Sequence, residues 1–78
     1  MKKRYYLTYS QELVKEPLIY QAGKKFKVET NIRQASISEE LGLVALELEG
    51  EASEIEKAVE FFVKSGVKVE PIELDIIE

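Results

Sequence analysis

Residues Val28 to Glu49, VETNIRQASISEELGLVALELE, decide the fold because they read as two strands joined by one turn. Val28, Thr30 and Ile32 alternate on one face, and then Ala35 and Ile37 fall on the other. That change of parity predicts a bulge or bend near Arg33 and Gln34. Glu39 to Gly42 supplies a turn with a glycine, and from Leu43 to Glu49 the apolar Val44, Leu46 and Leu48 alternate with Glu47 and Glu49. The stretch is a β-hairpin whose glutamates are expected to point to water.

Both flanks read as helices. Upstream, Pro17 suits a first helical turn because its missing N–H has no intrahelical partner there. Leu18, Ile19, Ala22 and Phe26 then recur at helical spacing, with Lys24, Lys25 and Lys27 at the end where cations suit the helix dipole. This predicts a helix from about Pro17 to Lys25. Downstream, Ser53 with Glu56 has the spacing of a capping box, and Ile55, Ala58, Val59, Phe62 and Val63 form an apolar stripe that Gly66 ends. At the termini, the alternation of Tyr5, Leu7 and Tyr9 predicts a strand over Lys3 to Tyr9. Val67, Val69, Ile72 and Leu74 predict a last strand, interrupted by Pro71 and so placed at an edge or a bulge.

The order β-α-β-β-α-β with right-handed crossovers gives an α+β, ferredoxin-like sandwich: a four-stranded antiparallel sheet with two helices on one face. Phe26, Phe61 or Phe62, Leu7 and the row Val44, Leu46, Leu48 are the expected core. A core this small offsets chain entropy narrowly, so pairing of two copies through a sheet edge or sheet face is expected.

Composition narrows the chemistry. The chain has 78 residues, 45% hydrophobic and 33% charged, with no Cys, His or Trp. One domain over residues 1–78 fits that length. Without Cys and His it lacks thiol nucleophiles, the usual zinc ligands and the commonest general base near neutral pH. No catalytic constellation, metal site or cofactor motif is read: Glu39 with Glu40 and Glu47 with Glu49 look like solvated acids, and neither GxGxxG nor GxxxxGKS/T occurs. Tyr5, Tyr6, Tyr9 and Tyr20 serve either sheet and helix packing or stacking on a planar ligand. Net charge is −4, divided into +5 over residues 1–33 and −9 over residues 34–78. The basic residues are scattered, which argues against nucleic acid. The longest apolar run, Leu43 to Leu46, cannot span a bilayer, and the N-terminal Met-Lys-Lys-Arg is not followed by an apolar signal segment. The expectation is a cytoplasmic protein with no direct membrane insertion.

Asn31 stands apart, because strands disfavour Asn. Its amide serves either a bulge hydrogen bond or a ligand.

Several short stretches in order carry a family resemblance: Glu16-Pro17-Leu18-Ile19, then Phe26-Lys27-Val28-Glu29-Thr30-Asn31-Ile32, then Ala35-Ser36-Ile37, and Gly66-Val67-Lys68-Val69-Glu70. Over about residues 5 to 72 the chain resembles the NIL domain, a family named for an Asn-Ile-Leu motif that reads Asn31-Ile32-Arg33 here. NIL domains are similar to ACT-type regulatory domains. They occur at the C-terminus of ATPase subunits of methionine ABC transporters, where they pair and bind methionine, and ahead of a ferredoxin module elsewhere. The resemblance implies a non-enzymatic regulatory homodimer binding methionine or a related sulfur amino acid. Asn31 would lie near the ligand, and Ile32 with Ala35 to Ile37 would line the pocket. Arg33 replaces the apolar third letter and would either reach a ligand carboxylate or sit at an interface. The alternative is a ligand-free accessory module docking on a transporter ATPase, a ferredoxin-type partner or a sulfur-metabolism enzyme. With neither an ATPase motif nor cluster cysteines, the chain is expected to be a free-standing NIL domain.

Overall fold

Alternation sets the sheet. In the computed structural model, which describes residues 1–72, strand β1 (Lys2–Ser10) leads through a 3-10 turn at Leu13–Lys15 to helix α1 (Leu18–Lys25). Strands β2 (Val28–Ile37) and β3 (Leu41–Gly50), helix α2 (Ala52–Lys64) and strand β4 (Lys68–Pro71) follow. The strands lie in the order β2-β3-β1-β4, each neighbouring pair antiparallel. This is the ferredoxin-like sandwich. β2 and β4 are the edges, and Pro71 ends the β4 edge, where its missing N–H removes no ladder bond. Leu74, read as part of the last strand, lies outside the described residues.

The bulge falls where parity predicts it. Ile32 pairs with Leu46 and Gln34 with Ala45, so Arg33 is the extra residue. Its insertion returns Ala35, opposite Val44, and Ile37, opposite Gly42, to the helix-covered face that Val28, Thr30 and Ile32 already share.

That face holds the core. Leu7, Leu46, Leu48, Ile55 and Phe62 are each under 2% exposed, and full burial of such a side chain contributes roughly 1.5–3 kcal/mol. Of the two candidate phenylalanines, Phe62 occupies the core. Phe61 and Phe26 are half-buried and meet edge-on with ring centroids 5.9 Å apart. Gly66 ends α2 with φ +104°, letting its N–H reach Val63 O and the Val67 N–H reach Phe62 O, each at 3.0 Å.

Two local expectations are corrected. The capping frame of α2 lies two residues earlier: Glu51 is the N-cap, its carbonyl accepting the Glu54 and Ile55 N–H groups at 3.0 Å, and no side chain caps the helix. The Glu54 carboxylate instead takes the Lys27 backbone N–H at 2.9 Å, tying the end of α1 to α2. Glu47 does not point to water either. It sits on the uncovered face of a central strand, 6% exposed, because cations from β1 and β2 close over it.

Candidate functional site

The sheet presents two surfaces, and the bulge distributes the sequence-predicted residues between them. Ile32, Ala35 and Ile37 come together on the helix side, where with Tyr9, Val14 and Leu18 they line a groove of about 230 Å³ between α1 and β2. α1 packs over the first half of β2, with Gly23 against Thr30, and begins after Pro17 beside the groove, so the far half of the strand is left uncovered. Ile32 and Ile37 are consequently 53% and 59% exposed. Apolar side chains that a fold leaves adjacent and exposed are a usual mark of a binding surface.

Asn31 and Arg33 go to the opposite face. Asn31 pairs with Glu47 across the ladder, and Arg33 Nη1 lies 3.7 Å from Glu47 Oε1. Arg4 Nε donates to the same oxygen at 3.3 Å, and Lys2 Nζ is 3.8 Å from Oε2. One chain therefore brings Ile32, Ala35 and Ile37 together in the groove and places Asn31 and Arg33 in an ionic cluster on the other side of the sheet.

Tyr9 is the buried polar member of the groove lining, where Glu16 and Tyr20 are exposed. It is 5% exposed, and its hydroxyl has no hydrogen-bond partner among the described residues. Burial pushes this phenol up to about 12, so it stays protonated near neutral pH. Sequence reading weighed Tyr9 as a packing or stacking residue and did not connect it, Val14 or Leu18 to Ile37. What joins them is register: the Tyr9 ring stands opposite Gly42, which in turn stands opposite Ile37.

A second concavity of about 420 Å³ lies on the uncovered sheet face between Tyr6, Leu43 and Glu70. It has no unpartnered buried polar atom among the described residues. No cluster of three His, Cys, Asp or Glu side chains that could hold a metal occurs among them. No described helix is long and apolar enough to cross a membrane. What the groove can do is surround an apolar group.

The family model of the NIL domain matches residues 3–71. The crystal structure of the C-terminal domain of an ABC transporter ATP-binding protein from Enterococcus faecalis superposes with a TM-score of 0.81 at 28% identity, over 94% of this chain and 86% of that one. No curated protein matches the chain.

Proposed function

The chain belongs to the NIL domain family over residues 3–71, and from that premise we propose that it is a non-catalytic regulatory module whose dimer binds a small amino acid, methionine or a related sulfur amino acid. The observation that carries this reading is the groove. Its lining is apolar, Ile32, Ala35 and Ile37 belong to it, and it opens at the exposed edge of the sheet. A thioether chain fits such a surface, since an unbranched polarizable side chain adapts to irregular apolar walls.

The amino-acid head group has a place at the N-terminus of α1. The first i→i−4 bond there runs from the Gln21 N–H to Pro17 O at 3.0 Å, so the preceding N–H groups of Ile19 and Tyr20 face outward with the positive end of the helix dipole. Asn31 and Arg33 have a different task in this reading. They lie on the outer face of edge strand β2, where a second copy would pair, and they fix that pairing. The likeness to the domain of a transporter ATP-binding protein supports a transporter ATPase as the partner regulated, and hence a cytoplasmic location.

Calorimetry and thermal shift with methionine and homocysteine test this directly. Saturable heat and a raised melting temperature, both lost in Ile37→Asp, are expected, with a dimer in sedimentation at high micromolar concentration. Absence of heat and of any shift with both amino acids would sink the ligand reading. The second reading, a ligand-free docking module, is favoured by the exposed Tyr6 and Leu43 on the uncovered sheet face. It predicts that the ATPase is retained by the immobilised domain without amino acid and lost with Leu43→Asp.

A further inference from the structure

The two edges of the sheet differ. β4 is four residues long and ends at Pro71, whereas β2 is ten residues long and contains neither proline nor lysine, the residues that usually guard an edge. The N–H and C=O groups of β2 that point away from β3 form an open template for another strand, and beside them Ile32 and Ile37 are exposed along the groove. On the outer face of the same strand, Arg33 shares the Glu47 carboxylate with Lys2 and Arg4, so its half-exposed guanidinium has donors free for a second acid. A strand that fits this edge alternates apolar with acidic residues.

The sequence holds such a segment in Ile72-Glu73-Leu74-Asp75-Ile76. The chain's own sheet has no place to bury it. Pro71 of β4 stands opposite Tyr5, and in that register Leu74 would stand opposite Lys2 and Ile76 would lie past β1, which starts at Lys2. Its own β2 is out of reach. Ile76 is four residues past Ile72 and extends at most ~14 Å from it, whereas a strand added to β2 lies four strand spacings from β4, about 19 Å.

We propose that residues 73–77 of one copy add as a strand to β2 of a second copy. Leu74 and Ile76 then cover the open side of the groove, two residues apart like Ala35 and Ile37, while Glu73 and Asp75 face Arg33. Glu29 and Glu49, opposite each other at the start of β2, repel these acids and confine the segment to the half of the strand from Asn31 to Ile37. Exchanged in both directions, the contact closes into a two-fold pair. The inference rests on the pairing at β2 proposed above and identifies the segment that makes it.

Sedimentation velocity of the full chain at high micromolar concentration, with circular dichroism as the check of folding, compares the native protein with Leu74→Asp/Ile76→Asp, Arg33→Glu and Arg33→Glu/Asp75→Arg. Association is expected to weaken about tenfold or more in the first two variants and to recover in the third, where the charges have changed places. A labelled synthetic peptide of residues 72–78 is expected to bind Leu74→Asp/Ile76→Asp, whose β2 is intact and uncovered, and to lose that binding when Ile37→Asp is added. Leu74→Asp/Ile76→Asp associating as the native chain does, or a peptide that fails to bind it, overturns the role of the segment and leaves pairing at β2 intact. Peptide binding that survives Ile37→Asp overturns the contact with the groove, and association that stays lost in Arg33→Glu/Asp75→Arg overturns the contact with Arg33. A native chain that stays monomeric overturns both the segment and the pairing.

Discussion

Glu47→Gln isolates the electrostatic core of the uncovered sheet face, because glutamine keeps the shape of the side chain and removes its charge. The Glu47 side chain is 8% exposed, whereas those of Lys2, Arg4 and Arg33 are 63%, 37% and 48% exposed. Losing one partner of a fully buried pair costs about 3–5 kcal/mol because a buried charge is left uncompensated. Here the cations left behind reach water, which rules out that figure. The Lys2 and Arg33 contacts, at 3.8 and 3.7 Å, are surface-type ion pairs worth roughly 0–1 kcal/mol each. The Arg4 bond, at 3.3 Å, is charge-assisted and part-buried, so it falls near the lower end of about 1.5–3 kcal/mol. The glutamine Oε1 still accepts from Arg4 and returns roughly 0.5–1.5 kcal/mol of these terms, so a net loss of about 1–2 kcal/mol follows, a fall in melting temperature of roughly 5–15 °C for a domain this size. Thermal and urea unfolding followed by circular dichroism, at low salt and near 1 M salt where the screening length is about 3 Å, is the assay. The gap between native and variant should narrow in high salt. A variant as stable as the native chain at low salt would refute the reasoning, and a loss unaffected by salt would show that amide burial, not charge, is its source.

Three further predictions follow from particular contacts. Gly66→Ala places a Cβ at φ +104° and 3.2 Å from Leu13 Cδ1, and should destabilise by about 1–2 kcal/mol in urea unfolding. Gly42→Ala puts a Cβ 2.9 Å from Val14 Cγ2, a groove-lining atom that must move. A loss of about 1–3 kcal/mol and a weaker methionine-induced thermal shift are expected. The Glu54 carboxyl is held below its ordinary value of 4.5, first by the Lys27 backbone N–H and then by the Lys57 ammonium. A lowered folded-state value stabilises above about pH 4.5 and is lost as pH falls through that lower value, so native and Glu54→Gln should differ in urea unfolding at neutral pH and converge in acid.

The elements that local patterns specify were legible in the sequence. Alternation in Val28 to Ile37 located the bulge, Gly66 the end of α2, and Pro71 an edge strand. Glu47 was misread because its environment is non-local: Arg4 is 43 residues away, and only the β1–β3 register sets it opposite Glu47. The α2 cap was misplaced because Ser53 and Glu56 have the right spacing but stand two residues too far into a helix whose start is fixed by the end of β3 at Gly50. Of the groove, Ile32, Ala35 and Ile37 could be read from one strand. Tyr9, Val14 and Leu18 reach it only when β1, the 3-10 turn and α1 are folded around Gly42.

Arg33 links the two faces through geometry alone. As the extra residue it restores the parity of β2, and without it the two-residue period would turn Ala35 and Ile37 outward and leave the groove with Ile32 as its only wall on that strand. A bulge leaves its extra residue outside the ladder, free to be aimed. Here that residue carries a guanidinium, and Glu47 holds it on the outer face 3.7 Å away. The same insertion that builds the apolar groove on one side thus places a cation on the other, beside Asn31 on the exposed edge. A substituent at position 33 acts on both surfaces: leucine would keep the bulge and the groove but remove the ion pair, whereas deletion of the residue would dismantle the groove. Groove and outer cluster are therefore separable by substitution and inseparable by deletion.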